Sequence, residues 1–252
     1  MIARPTLRDA QLESVLGLVS PLTKLAIAIG WLLGLAFTTQ HAPPLFIAVV
    51  ALASGVVLGR IPVPSLVRAI LPLWVVATVV VVSNIVFGAA NTDPAATELA
   101  RIGPLRVTSE AVATATALGL RVVAIASVGA VFALTTDSTR LADSLVQQAG
   151  LSPRFAYGAL AAYQAVPRFG EDLTTLRQAR RLRGLRGGWH PRLLVGLLVL
   201  AIRHGDRVAL GMDARAFGFG PRTRYREVRW GPLDLAVGVG ACLVLAAAFG
   251  LG

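Results

Sequence analysis

Five stretches of this chain are apolar with almost no interruption: residues 22–39, 44–59, 66–88, 111–134 and 233–250. An α-helix rises 1.5 Å per residue, so about 20 apolar residues cross a hydrocarbon core of about 30 Å. The first, third and fourth stretches meet that length easily, and the fifth closes the chain. The second is short and needs flanking side chains that reach the interface, or a locally thinned bilayer. The pattern predicts an all-α polytopic membrane protein with about five transmembrane helices and three cytoplasmic or interfacial helices. Small residues recur four apart at Gly30 and Gly34 and at Ala111, Ala115 and Gly119, a spacing that lets helices approach closely.

Between residues 136 and 230 the pattern changes. In "TTDSTRLADSLVQQAGL" either Asp137 or Ser138 offers an N-cap, Leu141, Leu145 and Val146 fall at helical spacing, and Gly150 marks a stop. Ser152–Pro153 opens the next helix with proline at its first position. Pro167 should kink it, and Gly184, Gly187 and Gly188 should end it. The third segment, 191–215, is uncharged only from Leu193 to Ile202, about 15 Å of helix. Arg203, His204, Asp206, Arg207, Asp213 and Arg215 follow, and burying each charge in lipid would cost roughly 2.5–3.5 kcal/mol. One long helix lying on the inner membrane face and ending in cytosol fits better than a sixth span. The expected division is therefore a four-span bundle over 1–135, a cytoplasmic helical region over 136–230, and a final span over 231–252.

Composition agrees: 55% of residues are hydrophobic and only 15% charged, against about 25% charged in soluble domains. The formal charge is +11, Lys24 is the only lysine, and sixteen of the 23 arginines lie between Arg140 and Arg229. Basic loops face the cytoplasm. Arg4, Arg8 and Lys24 put the N-terminus inside, "QHAPP" falls outside, and Arg60 and Arg68 return inside. Residues 89–109 lie outside, with Arg101 and Arg106 offset by Asp93 and Glu98. Five spans then leave the C-terminus outside. No nucleic-acid motif accompanies the basic stretch. Cys242, the only cysteine, excludes an internal disulfide. Residues 1–21 lack the continuous apolar core of a secretory signal.

The usual catalytic signatures are missing. His41, His190 and His204 are scattered, there is no G-x-x-x-x-G-K-[ST] phosphate loop, and no serine sits in a nucleophile elbow. Membrane alcohol phosphotransferases use ordered aspartates around an Ala-Arg pair. Asp206, Asp213 and Arg215 present that chemistry in the wrong order, with only Glu227 and Asp234 to follow. An arginine at a cytoplasmic helix end can grip a carboxylate of another protein bidentately. It can equally serve orientation and contact anionic headgroups, at about 1 kcal/mol each. Arg121 lies inside the fourth span, where a charge is a functional candidate or pairs within the bundle.

Several stretches resemble the transmembrane T component of energy-coupling factor transporters. "PLTKL" (21–25) is similar to that family's P-x-T-K-L, and "TTDSTRLADSLVQQAGLSPRF" to its T-T-x-P segment and first coupling helix. "VPRFGEDL" (166–173) resembles its proline-then-carboxylate stretch. "IRHGDRVALGMDARAFGFGPRTRY" is close to R-A-D-x-x-A-x-A-M-x-A-R-G-F with its trailing R-T. The resemblance implies a non-catalytic scaffold in the cell membrane of a prokaryote, binding no cofactor itself. ATP would be hydrolysed by two partner ATPase subunits, into whose grooves two Ala-Arg-Gly-like motifs dock. The second motif falls on Ala214-Arg215-Ala216, with alanine for glycine, a change expected to leave the arginine's role intact. The first falls on Leu182-Arg183-Gly184, which keeps Arg-Gly, or on Ala179-Arg180-Arg181, which keeps the alanine; Arg183 is preferred. Apolar faces including Phe155, Leu160, Tyr163 and Val166, and Leu193, Leu194, Leu197 and Leu198, would grip a small substrate-binding membrane protein, the S component. Membrane lipid is a further partner, and nucleic acid is not. Vitamins and metal ions both remain open as cargo. A conventional ABC permease subunit is the alternative, without a matching E-A-A loop; a membrane-bound transferase is the third reading.

Overall fold

The computed structural model describes residues 11, 13–38, 40–92, 96–102, 105–185, 190–218, 220 and 226–250. Nine helices follow in order among these: α1 (Val15–Leu18), α2 (Pro21–Phe37), α3 (Ala42–Val57), α4 (Val63–Phe87), α5 (Ser109–Thr135), α6 (Ser138–Gln147), α7 (Pro153–Leu182), α8 (Pro191–Ala214) and α9 (Pro232–Gly250). The sequence marks most of their starts. Proline occupies the first or second position of α2, α3, α4, α7 and α8, where its missing N–H costs nothing and its fixed φ is already helical. The chain divides into two compact units, residues 1–137 with 229–252, and residues 138–228.

The first unit is an all-α polytopic membrane bundle. The stretches over 63–91, 109–135 and 232–250 are long and apolar enough to cross a bilayer. The first apolar stretch is shorter than its composition suggests. Pro21 opens α2 and the extended Thr38 closes it, leaving 17 residues, about 25 Å of helix. α3 has 16 residues, in keeping with the short second stretch.

Trp31 and Leu35 of α2, Ile47, Ala48 and Ala51 of α3, Ala124 and Val128 of α5, and Ala241 and Ala248 of α9 form one buried cluster. The Trp31 indole donates to the Ala241 carbonyl at 3.1 Å, tying α2 to α9. Small residues set the closest approaches. A Cβ on Gly34 would lie 2.7 Å from Leu245 Cδ1, and one on Gly119 would lie 2.3 Å from Val81 Cγ2. Ala111 and Ala115 are buried on the same side of α5. Gly30, by contrast, faces open space, so only half of the first small-residue pair serves packing.

The region 89–109, read from sequence as a plain loop, contains a 3-10 turn (Ala89–Thr92) and an antiparallel pair, β1 (Glu98–Ile102) and β2 (Leu105–Thr108). Arg106 bridges to Glu98 at 3.2 Å and donates to the Ala96 carbonyl at 2.8 Å. Asn91 anchors the hairpin. Its amide nitrogen donates to the Ile85 carbonyl, and its oxygen accepts from the amide and hydroxyl of Thr108, the N-cap of α5. Arg4, Arg8 and Asp93, used in the orientation count, lie outside the described residues.

Three charged side chains of this unit bond to groups at helix ends. Asp234, buried in the first turn of α9, accepts from Gly231 N at 2.7 Å with one oxygen. With the other it accepts from Ser20 N at 2.6 Å and Thr23 Oγ1 at 3.2 Å, at the start of α2. Lys24 is only 8% exposed and donates to the Thr135 carbonyl, the last residue of α5, at 2.7 Å. Arg121 donates to the carbonyl of Thr38, which ends α2. His41 contacts the Ala113 carbonyl and the Thr116 hydroxyl through Nε2.

Candidate functional site

The second unit carries the candidate docking residues. α7 has 30 residues and α8 has 24, so they measure about 45 and 36 Å. They run antiparallel: Gly196 of α8 packs on Leu176 of α7, and His204 meets Phe169 edge-on at 6.5 Å. α7 is one helix that contains Pro167, the position at which the sequence predicts a kink. Gly150 adopts φ +70 after α6, as its reading as a stop requires. Within α6 the most buried residues are Ala142, Asp143 and Ser144, while Leu141, Leu145 and Val146, which fall at helical spacing, are half-buried.

α7 and α8 end in the same way. After α7, Gly184 N donates to the Arg181 carbonyl and Leu185 N to the Arg180 carbonyl. After α8, Ala216 N donates to the Asp213 carbonyl and Phe217 N to the Met212 carbonyl. Both are Schellman caps, in which the residue after the C-cap turns left-handed and two amides satisfy the last carbonyls. The left-handed residues are Gly184 at φ +72 and Ala216 at φ +50. The residue immediately before each is an exposed arginine, Arg183 and Arg215. Arg183 is therefore the positional counterpart of Arg215. Arg180 lies three residues earlier, inside the helix, where its carbonyl serves the cap.

A helix C-terminus carries partial negative charge, so cations there are held favourably. Arg180 and Arg181 occupy the last turn of α7 with Arg183 just beyond. The two caps point to opposite ends of the helix pair. Tyr157, near the start of α7, meets Phe217 beyond the end of α8, and 26 residues of helix separate Tyr157 from Arg183, about 39 Å. Arg183 and Arg215 cannot enter one groove together.

The apolar residues expected to meet a membrane partner divide. Phe155, Tyr163, Val166, Leu194 and Leu198 are exposed, and Leu160 and Leu197 are half-buried. Leu193 is 3% exposed and belongs to the packing of the protein, which removes it from any open face. Leu182 is 90% exposed. Ala214 closes α8 beside Arg215 and is exposed. The glycines at 187 and 188 and the trailing Arg222–Thr223 lie outside the described residues. Among the described residues no three His, Cys, Asp or Glu side chains are grouped to hold a metal ion.

A cluster absent from the sequence reading surrounds the second cap: Asp143 and Gln147 of α6, Tyr157 of α7, and Phe217. The available signal was the i, i+4 spacing of Asp143 and Gln147 on a ten-residue helix. Tyr157 Oη donates to Asp143 at 2.5 Å. Burial first, then the Asp143 carboxylate, push the Tyr157 hydroxyl up to about 12 from 10.0.

An apolar bundle of this kind defines a polytopic membrane protein. Residues 13–225 match the family model described as cobalt transport protein, CbiQ, and the chain belongs to that family. It is 27% identical over 253 residues, 90% of each chain, to the energy-coupling factor transporter transmembrane protein EcfT of Heliobacterium modesticaldum. Proteins of the same name from Thermosediminibacter oceani (26% over 247 residues, 89% of this chain and 88% of that one) and Acidaminococcus fermentans (27% over 204 residues, 73% of each) are also similar. A place in the membrane and a role in transport follow from the family and the apolar helices.

Proposed function

We propose that this chain is the non-catalytic coupling scaffold of an energy-coupling factor importer in a prokaryotic cell membrane. Two ATPase subunits dock on it, one on Arg183 and one on Arg215, and they alone bind and hydrolyse ATP. Their closure moves the ends of α7 and α8. The exposed apolar flank of these helices, Phe155, Tyr163 and Val166 with Leu194 and Leu198, grips a small substrate-binding membrane protein whose reorientation releases a vitamin or a metal ion inside. The N-terminus is cytoplasmic and, with α2, α3, α4, α5 and α9 spanning, the C-terminus is outside.

The observation that carries this reading is the pair of equivalent caps. The same backbone geometry presents one exposed arginine at each end of an antiparallel helix pair, with about 39 Å of helix between Arg183 and Tyr157, which meets the second cap at Phe217. Orientation signalling needs charge but no such geometry. Truncating a desolvated, hydrogen-bonded charge pair at an interface costs roughly 2–5 kcal/mol. Arg183→Glu and Arg215→Glu should therefore each abolish uptake and coupled ATP hydrolysis while membrane insertion remains normal. Wild-type coupling in either variant overturns the role of that arginine.

A further inference from the structure

The cap that carries Arg215 is held from outside by side chains of α6 and α7. Phe217 supplies the amide that closes the second cap, and its ring meets Tyr157 edge-to-face, 5.9 Å between centroids at 79°. Tyr157 is fixed by its hydrogen bond to Asp143, which is 9% exposed within α6. One turn further along α6, Gln147 makes two bonds to the chain that follows. Its side-chain nitrogen donates to the Arg226 carbonyl at 2.8 Å, and its oxygen accepts from Val228 N at 3.0 Å. The Arg154 side chain lies against Gly218, where a Cβ would stand 2.4 Å from Nε. The chain after α8 is thus gripped at 217–218 and again at 226–228. At the first cap the residue equivalent to Phe217 is Leu185, which is half exposed.

We propose that α6 is a positioning clamp for one docking arginine: Asp143 through Tyr157 and Phe217, and Gln147 through residues 226–228, hold the cap so that Arg215 keeps one orientation toward its partner. This rests on the docking role assigned to Arg215. It makes the Arg215 end of the scaffold depend on α6 for its stiffness. Asp143, Gln147 and Tyr157 are positioning residues and touch neither ATP nor cargo.

The test uses the detergent-purified full chain and its own two ATPase subunits, reading their affinity and the ATP hydrolysis of the assembled complex. Tyr157→Phe removes only the hydroxyl, and Gln147→Ala removes the side-chain amide with its two hydrogen bonds. Each should weaken binding at the Arg215 end at least about threefold, from the loss of one or two well-made hydrogen bonds. Asp143→Asn keeps an oxygen that accepts from Tyr157 and should stay near wild type. In an Arg215→Ala background neither Tyr157→Phe nor Gln147→Ala should weaken binding further, whereas general loss of folding would add its cost in full. Full additivity in that background, or unchanged affinity in both single variants, overturns the clamp while leaving the docking role in place. An Arg215→Ala chain that binds and couples normally overturns the docking role and the clamp with it.

Discussion

Ala216 stands where glycine is favoured. Its φ of +50 closes the second cap, and the equivalent position of the first cap holds Gly184 at φ +72. A left-handed backbone costs a residue with a Cβ roughly 1–2 kcal/mol. Glycine escapes that cost but loses roughly 0.5–1 kcal/mol more backbone entropy on ordering. Ala216→Gly should therefore stabilise the cap by about 0.5–1 kcal/mol, and Gly184→Ala should destabilise its cap by a similar amount. A Cβ at position 184 would meet nothing within 4 Å, so the second change tests conformation without a clash. Amide hydrogen exchange is the direct assay, because the amides of Phe217 and Leu185 are the bonds that open. With about 1.4 kcal/mol per factor of ten, Ala216→Gly should slow exchange at Phe217 about two- to fivefold. Gly184→Ala should speed exchange at Leu185 by the same factor. Unchanged rates, or a faster Phe217 in Ala216→Gly, would show that the left-handed turn is not what closes these helix ends. The alanine, read from sequence as a small departure, is thus a conformational load, although the cap it closes keeps the hydrogen bonds of the glycine one.

Lys24→Met should lower the thermal stability of the detergent-solubilised chain by about 1–3 kcal/mol, because it leaves the Thr135 carbonyl at a helix end without this buried donor; Arg121→Leu should act similarly at Thr38. In the same assay Gly119→Ala should cost about 1–3 kcal/mol by forcing α4 from α5, whereas Gly30→Ala, which meets open space, should be neutral or slightly stabilising; equal effects would remove close approach as the reason for these glycines. Tyr157 has a raised pKa in the folded chain, so its contribution is fully present below pH 10 and is lost as the pH rises through about 12. Absorbance titration of wild type against Tyr157→Phe should show one tyrosine ionising late; a difference titrating at pH 10 would refute its bond to Asp143.

The helices were legible because lipid-facing segments are written in long apolar runs, and because proline and glycine punctuate their ends. Arg183 and Arg215 were legible as candidates through local motifs, and Gly184 as a stop through its lack of a side chain. The hairpin over 98–108 was not. Its strands are five and four residues long, and Arg101 and Arg106 had already been counted as loop charges. The clamp was hidden for a different reason. Asp143, Tyr157 and Phe217 are 14 and 60 residues apart in sequence, and only the antiparallel return of α8 along α7 brings them together. Leu193 was misassigned because apolar periodicity shows that a face is apolar but not which neighbour covers it.

Charge was the least transparent signal, and the reason lies in how helices end in lipid. The last carbonyls of a helix have no internal partner, and hydrocarbon offers no water to replace one. α2 and α5 solve this reciprocally. Lys24 of α2 reaches the final carbonyl of α5, and Arg121 of α5 reaches the carbonyl that ends α2. Fourteen residues separate Lys24 from Thr38 and fourteen separate Arg121 from Thr135, so both contacts form together when the antiparallel helices are in register. A slip by one turn, about 5.4 Å, would break both. Asp234 does the converse at the N-terminal ends of α2 and α9, where anions are favoured. Counting charges by loop takes Lys24 as an orientation signal and Asp234 as a stray carboxylate, and leaves Arg121 either a functional candidate or a charge paired within the bundle. In the structure each complements the polarity of a helix end, and together they fix how far the apolar helices slide past one another, which hydrophobic burial alone leaves weakly determined.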